Sequence, residues 1–163
     1  VVFILNRYFA AMGQAIETAG GHVDKFIGDG VMALFGIEEE SEEACRSAIS
    51  AVRAMAGALS DLNRHLEHEL GNPLRIGIGL HFGPAIVGEM GHGAARHLTA
   101  VGDTVNTASR LESMTKDFDV QLVVSSVVAE AAGVALKAER RDVALRGRQE
   151  SLPVYLVEDA QML

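Results

Sequence analysis

Two short stretches of this sequence carry residue types that could do chemistry. The first is Asp24-Lys25-Phe26-Ile27-Gly28-Asp29-Gly30-Val31-Met32-Ala33-Leu34-Phe35. An aspartate at a glycine-flanked tip has two readings. One is turn chemistry, in which the carboxylate accepts from nearby backbone N–H groups. The other is a hard-cation ligand, since carboxylates suit Mg²⁺ or Mn²⁺ and flanking glycines let phosphates approach the backbone. Lys25 taken locally is a solvated strand-end lysine. The second stretch runs from Leu98 to Glu112, through Val101-Gly102-Asp103-Thr104-Val105-Asn106-Thr107-Ala108-Ser109-Arg110. Gly102-Asp103 opens a helix, with Asp103 as N-cap. At 100° per residue Val105, Ala108 and Leu111 share one side, while Asn106 and Arg110 lie one turn apart on the other. An amide and a guanidinium stacked in this way suit a phosphoryl oxygen. The alternative is an ordinary solvated polar face.

The elements that must position these residues follow from periodicity. Leu5, Phe9, Met12, Ile16 and Ala19 recur at steps of four and three, predicting an amphipathic helix stopped by Gly20-Gly21. Val23 to Phe35 is β-type around Gly28-Asp29-Gly30 and predicts a hairpin. Ile49, Val52, Ala56, Leu59, Leu62, Leu66 and Leu70 form the stripe of a second helix, closed by Gly71-Asn72-Pro73. The run Glu38 to Glu43 reads as an acidic helix start capped by Ser41. Strands are expected at Leu74 to Phe82, Val120 to Val124 and Val154 to Val157, and a helix at Thr104 to Thr115. Interleaved helices and strands favour an α+β or α/β sandwich.

Composition narrows the function classes. Fourteen basic against twenty-two acidic side chains leave a net charge of −8 over 163 residues, so broad phosphate neutralisation of a nucleic acid is not expected. A small phosphorylated ligand remains possible where a local metal or Arg supplies the opposite charge. The single cysteine, Cys45, excludes an intrachain disulfide and a cysteine-built zinc site, and fits a reducing compartment. No apolar run approaches the ~18 residues of a membrane span. The expectation is a soluble, cytoplasmic single domain, or the cytoplasmic domain of a larger protein, with no membrane contact from this segment. None of the six histidines has zinc spacing: His65 and His68 are expected solvated on the second helix, and His81 hydrogen-bonded within its strand. Gly77, Gly79 and Gly83 fit neither the Rossmann nor the P-loop pattern.

Lys25-Phe-Ile-Gly-Asp-Gly-Val-Met-Ala-Leu-Phe-Gly36, Arg75-Ile-Gly-Ile-Gly-Leu-His-Phe-Gly83 and Val101-Gly-Asp-Thr-Val-Asn-Thr-Ala-Ser-Arg-Leu-Glu112 together resemble the class III adenylate/guanylate cyclase catalytic domain, in the family's order and spacing. The resemblance extends from Leu5-Asn6-Arg7-Tyr8-Phe9, similar to the family's first helix, to Leu145-Arg146-Gly147-Arg148 and the strand through Tyr155. It implies an α+β, ferredoxin-like (βαββαβ-type) sandwich, antiparallel-rich, with helices on one face.

The resemblance also implies a reaction. The ribose 3′-oxygen of a nucleoside triphosphate attacks the α-phosphorus in line and pyrophosphate leaves, with two Mg²⁺ or Mn²⁺ ions doing electrostatic work. Asp29 matches the second of two metal-bridging aspartates, with Gly28 beside it at the phosphates. Lys25 matches the base-reading position. An ammonium only donates, so it satisfies adenine N1 and opposes guanine N1–H. Thr99 matches the partner position, often Asp in the family, and its hydroxyl can accept from the adenine 6-amino group. The pair therefore implies ATP, and Thr at this place resembles the bicarbonate-responsive branch. Asn106 matches the ribose-positioning residue and Arg110 the residue neutralising the α-phosphate. Arg146 stands where the family usually has a phosphate-contacting Lys, with a plain surface arginine as the alternative. Sites of this family form at a head-to-tail dimer interface, metals from one protomer and Lys25, Thr99, Asn106 and Arg110 from the other, so a homodimer is implied.

One departure bears on activity. The Phe-x-Asp-Ile-x-Gly-Phe-Thr-like stretch that carries the first metal aspartate does not occur in this sequence. Either the sequence begins inside the first helix, or Val1-Val2-Phe3 is the tail of the missing strand, joined to Ile4 across omitted residues. Two rival functions stay open: a catalytically silent dimerisation or regulatory module, and guanylate cyclase.

Overall fold

The computed structural model describes all 163 residues. Helix α1 spans Val2–Thr18 and buries Met12 and Ile16 on its apolar stripe. It is unbroken through Phe3–Ile4, where the Leu5 amide donates to the Val1 carbonyl at 3.0 Å. Val2 and Phe3 form the first residues of this helix, with Val1 as its N-cap. Strands β1 (His22–Ile27) and β2 (Gly30–Leu34) pair antiparallel as expected, with Ile27 opposite Gly30. The two-residue turn between them is Gly28-Asp29. Gly28 sits at φ +61°, the positive value that the first turn position demands and only glycine adopts freely.

Helix α2 runs Ser41–His65 and buries an Ala-rich stripe with Cys45, Val52, Leu59 and Leu62. Two expectations change here. Glu40, not Ser41, is the N-cap, and no side chain caps the helix; Ser41 is the first helical residue, ahead of Glu42 and Glu43, which favour the positive end of the dipole. The helix also stops at His65 rather than Leu70. The Asn63 side chain explains the early end: it accepts from the Leu74 amide at 2.8 Å and donates to the Leu74 carbonyl at 2.9 Å, folding the next segment back onto the helix. Leu66, fully buried, completes the stripe from outside the helix, and His68 lies beyond it, exposed.

The expected strand at Leu74 to Phe82 shortens to β3, Ile78–Leu80. A hairpin follows that periodicity did not reveal, β4 (Ile86–Met90) and β5 (His97–Val101), with Gly88 opposite Thr99. Helix α3 is Asp103–Phe118, and β6 is Leu122–Ser125. The short helix α4 (Ser126–Ala132), strand β7 (Glu139–Val143) and strand β8 (Leu152–Val157) complete the order.

The main sheet has the order β3-β6-β8-β7; β3 and β6 are parallel and the other neighbours antiparallel. This is the expected α+β, antiparallel-rich class. The helices, however, occupy both faces of this sheet. Leu122 and Val124 of β6 pack with Cys45, Val52 and Ala56 of α2 and Val128 of α4. Val123, between them, packs with Leu111 of α3 and Val154 and Leu156 of β8. Successive strand residues point to opposite faces, so a strand buried throughout needs a cover on each. No helix is long and apolar enough to cross a membrane.

Candidate active site

The sequence-picked residues lie on the β1–β2 hairpin, β5, α3 and the turn after β7, and glycines set how closely α3 approaches β3. A Cβ on Gly79 of β3 would collide with the Ala108 carbonyl and the Glu112 amide of α3, and one on Gly77 would strike the Thr115 hydroxyl. These glycines therefore let the helix backbone lie directly on the strand. They place α3, and with it Asn106 and Arg110, at a fixed height over the sheet. Thr107, Leu111 and Thr115 form the buried face of α3. Asn106 is exposed and Arg110 half-buried, on the polar side as the helical spacing predicts.

Helix α3 opens differently from expectation. Gly102 is the N-cap, with φ +138°, and Asp103 is the first helical residue. The Asp103 carboxylate caps nothing; it receives Arg148 at 3.2 Å, from the connection after β7. Arg148 thereby ties that connection to α3. Arg146, two residues earlier, lies exposed in the turn and forms none of the protomer's salt bridges.

On the hairpin, Lys25, Gly28 and Asp29 are all exposed. The Tyr8 phenol of α1 lies above its ordinary pKa, chiefly because it is buried, with the Asp29 charge and that of Glu112 of α3 raising it further. Tyr8 of α1 thus senses both the hairpin tip and α3, a juxtaposition that no motif announced. Thr99 contrasts with Lys25. It is buried, at 3% exposure, and its hydroxyl donates to the Asp24 carboxylate across from β5 to β1. Thr99 is therefore bonded to the residue that precedes Lys25 in β1. Asp24 was missed by the sequence reading, and its burial between two strands leaves no local signal.

No group of three His, Cys, Asp or Glu side chains converges to hold a metal ion. Of the two metal-bridging aspartates implied by the resemblance, this sequence contains the one at Asp29. His81 is hydrogen-bonded as expected, through Nδ1 to the Ser125 hydroxyl at 2.7 Å. Its pKa lies below the usual imidazole value because it is buried, and the Arg148 charge lowers it further against a smaller opposing effect of Asp103.

The family model for the adenylate and guanylate cyclase catalytic domain matches residues 1–159. The chain belongs to this family. Among curated relatives, it is 34% identical to an adenylate cyclase of Anabaena cylindrica over 94% of this chain and 31% of that protein. It is 33% identical to adenylate cyclase 1 of Rhizobium meliloti over 96% of this chain and 24% of that protein. This cyclase domain thus spans about a third or less of the curated relatives it matches. Among solved structures, it is similar to the guanylyl cyclase Cya2, with TM-score 0.85 and 31% identity over 96% of this chain and 79% of that one. It is equally similar in fold to the adenylyl cyclase CyaB from P. aeruginosa, with TM-score 0.85 and 26% identity over 96% and 81%. The expected nucleotidyl cyclase architecture is the one that forms.

Proposed function

We propose that this cyclase domain is an adenylate cyclase, converting ATP to 3′,5′-cyclic AMP and pyrophosphate at an interface between two copies. The observation that carries the reading is the exposed Lys25 beside the Thr99–Asp24 bond. Lys25 is in none of the protomer's salt bridges, so its ammonium is free to donate to a ligand. It can only donate, which suits adenine N1 and opposes guanine N1–H. The Thr99 oxygen keeps lone pairs for the 6-amino group. The adenylate cyclase names of the Anabaena and Rhizobium relatives agree with this choice.

In the reaction the ribose 3′-oxygen bonds to the α-phosphorus, its proton is lost, and the bond to the bridging oxygen breaks as pyrophosphate departs. Asn106 orients the ribose, and Arg110 offsets charge growing on the α-phosphate. Arg146 meets the phosphates from the turn after β7, and Gly28 lets them approach the hairpin tip. Asp29 is the carboxylate available to Mg²⁺ or Mn²⁺, and an ion held there requires ligands besides Asp29. Bound, such ions would supply electrophilic stabilisation of the phosphates.

The proposed dimer has physical support in exposed apolar side chains. Phe26 and Ile27 of β1, Ile86, Val87 and Met90 of β4 and Val101 of β5 lie open on the two hairpins that carry the reading residues. An apolar surface of this extent favours a protein partner. GTP is the second reading, favoured by the similarity to the guanylyl cyclase Cya2. Comparing cyclic AMP and cyclic GMP formation by the intact polypeptide, with Mn²⁺ and an Asp29→Ala control, tests both. Faster turnover of GTP would reject the adenylate reading.

A further inference from the structure

We infer that Asp24 is a positioning residue for purine selection, acting through Thr99; the inference rests on the adenylate reading above. The Asp24 side chain is wholly buried, at 0% exposure, although nothing in its turn or strand requires an acid there. One carboxylate oxygen accepts the hydrogen bond of the Thr99 hydroxyl, and the other has no hydrogen-bond partner. The nearest candidate, Nε2 of His97, stands 3.8 Å away, beyond hydrogen-bond reach. Burying a carboxylate with one oxygen unsatisfied is costly, and such a group calls for an explanation beyond packing.

The explanation lies in what the bond does to Thr99. A hydroxyl has one proton to donate and two lone pairs to accept with. With the proton committed to Asp24, Thr99 meets a purine edge as an acceptor only. That matches the adenine 6-amino donor and confronts guanine O6 with a second acceptor. Burial of Thr99 sharpens the distinction, because a mismatched polar pair in a desolvated seam has no water to relieve it.

The same bond also fixes Lys25. The β1–β2 register steps from Val23 opposite Ala33 to Lys25 opposite Met32, so Asp24 is the extra residue of a β-bulge. A bulge re-aims the residues that follow it. Strands β1 and β5 belong to separate hairpins with no shared ladder, and side-chain links join them: Asp24 to Thr99, and His22 Nε2 with the Leu98 carbonyl at 3.4 Å. Asp24 thus sets the hydrogen-bond polarity of one purine reader and the placement of the other.

The test is the ratio of kcat/KM for ATP to that for GTP, measured on the intact polypeptide. Asp24→Ala and Thr99→Val are each expected to lower this ratio about tenfold, the scale of one hydrogen bond. The double variant should fall no lower than Thr99→Val alone, because Asp24 has nothing left to act through. Thr99→Ser, which restores the hydroxyl, should recover the ratio. A ratio unchanged by Thr99→Val overturns the inference even if Asp24→Ala does not fold, and so do single effects that multiply in the double variant. A wild-type protein that prefers GTP sinks the adenylate reading and this inference together. A wild type that prefers ATP, with a ratio indifferent to Asp24→Ala in the folded variant, sinks this inference alone.

Discussion

The Arg148 guanidinium meets the Asp103 carboxylate at 3.2 Å, joining the connection after β7 to the first residue of α3. The charges of the pair act on His81, whose imidazole is held by Ser125 of β6. One ion pair therefore links the arginine-bearing turn, the helix of Asn106 and Arg110, and the central strands. Its electrostatic footprint can be read at His81. Removing the cation in Arg148→Ala should raise the His81 pKa, and removing the anion in Asp103→Asn should lower it, both observable by NMR titration of the ring.

His81 itself gives a pH dependence of stability. Its folded-state pKa lies below the ordinary value near 6.5, so below that pH the unfolded chain binds the proton more readily. Stability is then lost as pH falls beneath about 6.5, down to the folded pKa, and is unaffected by this group above it. Denaturant titrations across that window should show the decline in wild type, and His81→Gln should flatten it.

Gly79→Ala tests the close approach of α3 to β3. The new Cβ would meet the Ala108 carbonyl and the Glu112 amide, backbone atoms that cannot rotate away. Overpacking of this kind costs about 1–3 kcal/mol. Urea denaturation should report that loss, and nucleotide turnover should fall with it because Asn106 and Arg110 ride on the displaced helix. An unchanged midpoint would show that the helix is free to lift.

Asn106→Ala and Arg110→Ala separate transition-state work from binding. Each is expected to lower kcat by about a hundredfold while KM for ATP moves far less, the signature of contacts made chiefly in the transition state. A rise in KM at constant kcat would reassign the residue to ground-state binding.

Asp29 can be examined without any metal through Tyr8. Burial raises the phenol pKa, and the Asp29 and Glu112 charges raise it further. Asp29→Asn should therefore lower the Tyr8 titration midpoint, followed by absorbance in a Tyr155→Phe background that leaves Tyr8 as the sole tyrosine. No movement would place Asp29 away from α1 and α3.

How much was legible beforehand depends on how local each feature is. The Gly28-Asp29 turn and the Asn106–Arg110 side of α3 follow from turn chemistry and a 3.6-residue period, both contained within one element. The sequence motifs likewise carried the family. The β4–β5 hairpin escaped notice because Ile86, Val87 and Val101 are exposed, so its strands lack the alternation that marks a half-buried sheet. The end of α2 was misjudged because Leu66 continues the apolar stripe while Asn63 has already turned the chain toward Leu74.

By itself, then, the sequence determined the family, the Gly28-Asp29 hairpin turn and the polar side of α3. Only the tertiary structure decided that Asp24 holds Thr99, that Arg148 rather than Arg146 binds Asp103, that helices cover both faces of the main sheet, and that Gly77 and Gly79 are packing gaps for α3. The physical reason is range. Periodicity and turn chemistry act over a few neighbouring residues, whereas partners 75 and 45 positions apart meet only after strand register and core packing have fixed where every backbone lies.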